Sequence, residues 1–72
     1  MVNLVIQKAI KTVGTQKELA KKVGVSQPNV WYWLHEKKKV SPQKVLALVE
    51  ACGGVISPHE VRPDLPDLFP KP

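Results

Sequence analysis

The sequence predicts a small all-α domain of four helices and a short fifth turn, with a helix-turn-helix at its centre and a proline-rich tail. Three observations carry this. Apolar residues recur at helical spacing in four segments of the 72-residue chain. Polar capping residues open three of those segments and glycines close three. A lone glycine, Gly24, joins two of them with hardly any linker, as a helix-turn-helix requires. Seventy-two residues hold one domain at most, near the lower limit for a core that folds unaided.

The first helix, residues 3 to 13, puts Ile6, Ala9, Ile10 and Val13 on one face and stops at Gly14. The second opens at Thr15 with Glu18 three residues on. That is the spacing of a capping box, in which hydroxyl and carboxylate each satisfy a free backbone N–H. Leu19, Ala20 and Val23 form its inner face, and Gly24 ends it where a left-handed backbone is needed. The third runs from about 26 to 36, with Ser26 as cap and Pro28 in the first turn, where a missing N–H costs little. Val30, Trp33 and Leu34 point inward, and Val25 with Val30 is spaced as a hydrophobic staple.

Ser41 and Pro42 announce the fourth helix, with Val40 and Val45 as a second staple. Its inward stripe is Val45, Leu48, Val49 and Cys52, and Gly53 and Gly54 close it. "SPHEVRP" reads as one helical turn capped by Ser57. "RPDLPDLFPKP" has four prolines in eleven residues, which excludes regular helix and central strand. The chain therefore divides into a domain of residues 1–62 and an extended tail of residues 63–72. Val61 and Leu65 are expected to fold back on the core, and Leu68 and Phe69 to stay free or meet a partner.

The formal net charge is +5, unevenly spread. Residues 1–50 carry nine lysines against three glutamates, a net +6, while the last twenty residues carry −1. A basic domain of this size suits a nucleic-acid backbone. The single cysteine, Cys52, permits no intrachain disulfide and no metal framework, and reads as a small buried hydrophobe. Apolar runs are too short for a signal peptide or membrane span, so a cytoplasmic protein is expected, with no membrane partner. Within the four helical segments no carboxylates pair at i,i+4 spacing, no Gly-rich phosphate loop occurs, and His35 and His59 lie far apart in sequence. No enzyme activity, catalytic residue, metal or cofactor is expected.

"TQKELAKKVGVSQPNVWYWL" resembles the helix-turn-helix of Cro/CI-type phage repressors, whose fold is lambda-repressor-like. "GTQKELAKKVGVSQPNVWYWLHEKKKVSP", followed by "ACGGVISPHEVRPDL", is similar to prophage Cro-like regulators of the YdaS type. The resemblance covers roughly residues 4 to 65. It implies a small transcriptional repressor that binds double-stranded operator DNA, usually as a homodimer on a palindromic site. The C-terminal strand by which some Cro proteins dimerise is missing, so the dimer contact does not carry over.

In such motifs the N-terminal half of the second helix enters the major groove. The base-contacting candidates are then Ser26, Gln27, Pro28, Asn29, Trp31 and Tyr32. Gln27 and Asn29 have amides that match adenine N6 and N7, and the Pro28 ring suits a thymine methyl or a sugar. Trp33 belongs to the core, whereas Trp31 and Tyr32 are offset from it and partly exposed. Tyr32 is expected to donate its hydroxyl to a phosphate or base, and Trp31 to pack on the sugar-phosphate edge; cover for the tail or a dimer partner is the competing role. Phosphate-contacting candidates are Thr15 and Gln16 at one helix start, Lys37, Lys38 and Lys39 after the recognition helix, and Ser41 and Gln43 at the next helix start. Two other readings stand beside this one. The joint at Gly24 also fits an αα-corner without DNA function. The apolar, acidic tail also fits a protein-interaction module, such as an antitoxin that masks a toxin or other partner.

Overall fold

The computed structural model describes residues 2–71. Five helices follow in order: α1 (Leu4–Val13), α2 (Gln16–Val23), α3 (Gln27–Leu34), α4 (Pro42–Ala51) and α5 (Pro58–Val61), with no strand among the described residues. Asn3 starts α1, its side-chain oxygen accepting from Val5 N and Ile6 N at 3.0 and 3.2 Å. The Asn3 N–H donates to Leu34 O at 2.7 Å, which ties the start of α1 to the end of α3.

The caps differ in how completely they form. At α2 the Thr15 hydroxyl accepts from Glu18 N at 3.1 Å, but the reciprocal half of the expected box is missing. The exposed Glu18 carboxylate lies instead near Gly14, where an added Cβ would sit 3.2 Å from its Oε2. A carboxylate that keeps its hydration gains little by closing the ring. At α5 both halves form: Ser57 Oγ accepts from Glu60 N at 3.2 Å, and Glu60 Oε1 accepts from Ser57 N at 2.9 Å.

α3 ends two residues earlier than the sequence pattern implies. Glu36 takes a left-handed backbone, φ +57°, so that Lys37 N donates to Tyr32 O at 2.9 Å and Glu36 N to Trp33 O at 3.3 Å. These two bonds are a Schellman motif with glutamate where glycine is usual. α4 closes in the same way through Gly53, φ +69°, and its neighbour, whose N–H donates to Val49 O at 3.0 Å.

All five helices contribute to one core. Ile6, Leu19, Val30, Val45 and Leu48 are wholly enclosed, and Ala9, Ala20, Val23, Trp33, Val40, Cys52, Ile56, Val61 and Phe69 pack around them. Both members of the Val40–Val45 staple are buried, and of the other Val30 is buried and Val25 is half-buried against the core.

The tail departs from expectation. Residues 63–69 are not extended but form two consecutive turns, with Leu65 N donating to Arg62 O at 3.1 Å and Leu68 N to Leu65 O at 3.2 Å. Pro63 and Pro66 occupy the second position of these turns, where the fixed φ of proline is preorganised and no N–H is needed. The prolines that exclude a helix therefore favour a folded tail. Phe69, expected to be free or to meet a partner, is buried in the core, and its carbonyl lies 3.0 Å from His59 Nδ1. Leu68 stays exposed, as expected, and Val61 and Leu65 do fold back on the core.

Candidate nucleic-acid interface

α2 and α3 are joined by the three residues 24–26. Gly24 is left-handed at φ +85°, and Gly24 N and Val25 N both donate to Ala20 O, at 2.9 and 3.0 Å. With Ala20, Val23 and Val30 buried on the inner side, the opposite side of α3 is left at the surface. Ser26, Gln27, Pro28, Trp31 and Tyr32 are all exposed there.

Helical spacing sorts these residues. Gln27 and Trp31, then Pro28 and Tyr32, form two adjacent i,i+4 rows on the outer face. Trp31 is 40% exposed and Tyr32 37%, against 5% for Trp33, so the tryptophan–tyrosine–tryptophan run splits between surface and core as its angles require. The Trp31 and Tyr32 rings meet edge to face at 5.6 Å. The His35 ring lies 4.2 Å from that of Trp31, and Lys38 Nζ is 5.1 Å from the Tyr32 ring centroid. Aromatic surface and cationic charge therefore share one patch.

Asn29 belongs elsewhere. It is half-buried and lines a depression of about 270 Å³ with Val25, Trp33, Lys38, Lys39, Ser41 and Lys44. Three lysines, one amide and one hydroxyl line it, although Lys39 Nζ itself pairs with Asp64 and Lys38 Nζ lies by the Tyr32 ring. Asn29 thus lies beside Ser41 and Lys44 rather than in the outer rows of Gln27 and Trp31. Lys44 is a member that the sequence reasoning passes over. Its signal is its spacing, three residues after Ser41, which places it in the first turn of α4.

The serines at these two helix starts have unengaged side chains. Ser26 and Ser41 hold the extended backbone of a cap, but neither hydroxyl makes a capping bond. Their carbonyls instead accept from Asn29 N at 3.1 Å and Lys44 N at 2.9 Å, which tightens each first turn. The hydroxyls of Thr15 and Ser57 are engaged in caps. Gln16 is half-buried, and its side-chain carbonyl oxygen is buried without a hydrogen-bond partner among the described residues. Lys37 and Gln43 are exposed and do not line the depression.

Lys39 has a competing partner. Its Nζ lies 3.2 Å from Asp64 Oδ2, and Arg62 donates to both Asp64 oxygens from Nε and Nη2, each at 2.9 Å. The Arg62 hydrogen bonds, with a smaller contribution from Lys39, hold the Asp64 carboxyl well below the usual carboxylate range, against a partial desolvation.

Among the described residues no three His, Cys, Asp or Glu side chains gather as a metal set, and no helix is long and apolar enough to cross a membrane. A family profile described as Bacterial toxin YdaS matches residues 6–68. No curated protein and no solved structure gives a significant match.

Proposed function

From the premise that this chain belongs to the Bacterial toxin YdaS family, we propose that it is a sequence-specific double-stranded DNA-binding regulator of transcription, acting as a repressor. α3 would lie in the major groove, with Gln27 reading a base edge and Ser26, Pro28, Trp31 and Tyr32 completing the contact. Lys38, Lys39, Ser41 and Lys44, with Asn29, would grip the flanking phosphate, and Lys37, Gln43, Thr15 and Gln16 would extend the grip along the backbone. The observation that carries the reading is the pairing of two unlike surfaces. An exposed amide-and-aromatic face on α3 adjoins a depression lined by Lys38, Lys39 and Lys44. A structural corner would need neither. One α3 offers few base contacts, so the protein is proposed to act as a homodimer on two half-sites. The reading assigns no catalysis and no cofactor, and places the protein in the cytoplasm.

The family description favours a second reading, in which the chain is itself a toxin. That differs from the antitoxin role, in which the tail masks a partner. The antitoxin reading loses support where Phe69 is already engaged in the core.

The deciding experiment is binding to duplexes from the promoter region flanking its own gene, at several salt concentrations. Gln27→Ala is expected to lose about 1–3 kcal/mol of discrimination between sites while keeping non-specific affinity. Changing Lys37, Lys38 and Lys39 together to alanine should weaken all sites alike and flatten the salt slope by about 0.9 for each phosphate no longer neutralised. Growth inhibition that persists on expressing both variants, with no specific duplex found, would establish the toxin reading instead.

A further inference from the structure

On the reading of residues 26–44 as a DNA-facing surface, we infer that Arg62 and Asp64, outside the helix-turn-helix, are positioning residues that fix the linker carrying Lys38 and Lys39. The linker between α3 and α4 is thinly bonded. Upstream, Lys37 N and Lys38 N donate to Tyr32 O; downstream, Ser41 O accepts from Lys44 N. Between them, among the described residues, the peptide groups of Lys39 and Val40 make one hydrogen bond, from Arg62 Nη1 to Val40 O at 2.8 Å. The buried Val40 side chain anchors the linker to the core, but it leaves the peptide free to rotate. Arg62 fixes that rotation.

Asp64 fixes Arg62 in turn. By taking Nε and Nη2 in a fork, it leaves Nη1 aimed at Val40 O. The Arg62 side chain is only 13% exposed, whereas that of Lys39 is 71% exposed. A guanidinium so enclosed, with each of its three nitrogens already donating, sets geometry rather than reaching for phosphate. Lys38 and Lys39 form the wall between two depressions. One holds Asn29, Ser41 and Lys44; the other, on the tail side, holds Val40, Arg62 and Asp64. A linker released on the tail side would let that wall shift and scatter the ammonium groups over many positions.

Charge alone makes the opposite forecast. Asp64→Asn removes a negative charge beside Lys39, and simple attraction to a polyanion then predicts tighter binding. Positioning predicts weaker binding. Arg62→Lys keeps the charge but cannot reproduce the planar fork, so charge alone predicts no change.

The test titrates the full chain, wild type and each variant, against a labelled promoter duplex at several salt concentrations. Backbone NMR order parameters of residues 38–41 are measured in parallel without DNA, and circular dichroism checks folding at the assay temperature. The expected result is an affinity loss on the order of fivefold in both variants, about one net hydrogen bond of linker order, with lowered order parameters at Lys39 and Val40. Unchanged or tighter binding by Asp64→Asn overturns the inference. Should Arg62→Lys unfold, the exposed Asp64→Asn site decides alone. Should the wild type bind no duplex, the DNA reading falls separately, and order parameters unchanged in both variants would still overturn the clamp.

Discussion

Glu36 is a non-glycine residue in the left-handed region, among the described residues the sole case, and its position explains why it is tolerated. It is exposed, and the motif it completes satisfies two carbonyls of α3. An L side chain there still meets its own backbone. Glu36→Gly is therefore expected to stabilise the fold by roughly 0.5–1 kcal/mol, readable as a shifted urea midpoint at constant m-value. A lower midpoint would show that the Glu36 side chain contributes more than its strain costs. Asp64 supports a prediction in pH. Its folded carboxyl is held below the unfolded value, so its contribution is full above the unfolded pKa and fades as pH falls towards the folded one. The gap in Tm between wild type and Asp64→Asn should stay constant from pH 8 to about 5 and narrow below about 4. A gap that instead narrowed near neutrality would point to a histidine.

At the scale of elements, the turn at Gly24 is the joint on which the candidate interface depends. An added Cβ at Gly24 meets nothing within 4 Å, so the cost of a side chain there is purely conformational. Gly24→Ala should lose about 1 kcal/mol and no more, measured by chemical denaturation; a much larger loss would mean that α2 and α3 repack. The helices are legible in the sequence because their signals are local. Apolar spacing places Ile6, Leu19, Val30 and Val45 inward, and Ser57, read as a cap, does open the short α5. The end of α3 is not legible, since glycine is the usual sign of a left-handed stop and glutamate gives none. The tail misleads because its prolines, which argue against helix and strand, argue equally for turns. Burial of Phe69 has no periodic signal to announce it. At the interface, exposure of Gln27, Trp31 and Tyr32 follows from helical angle, whereas the grouping of Asn29 with Lys44 depends on how α3 and α4 pack, which no local spacing encodes.

For the whole molecule, 72 residues leave little reserve, and the tail is part of what is held in common. Phe69 brings the last turn into the same core as Ile6 and Leu48. Phe69→Ala should cost about 3 kcal/mol, a large share of the stability of so small a domain. Thermal unfolding followed by circular dichroism checks it, and an unchanged midpoint would show that the tail is dispensable. Truncation after Asp64 should act in the same direction. Cys52 gives this shared core a practical use. The residue is 2% exposed and its thiol donates to Leu48 O at 3.3 Å, enclosed where α4 ends. A disulfide reagent in solution reaches the sulfur only when the chain opens, so the labelling rate under native conditions counts openings of the molecule. The protein thus carries one built-in clock, and every variant above can be timed against it without an added probe.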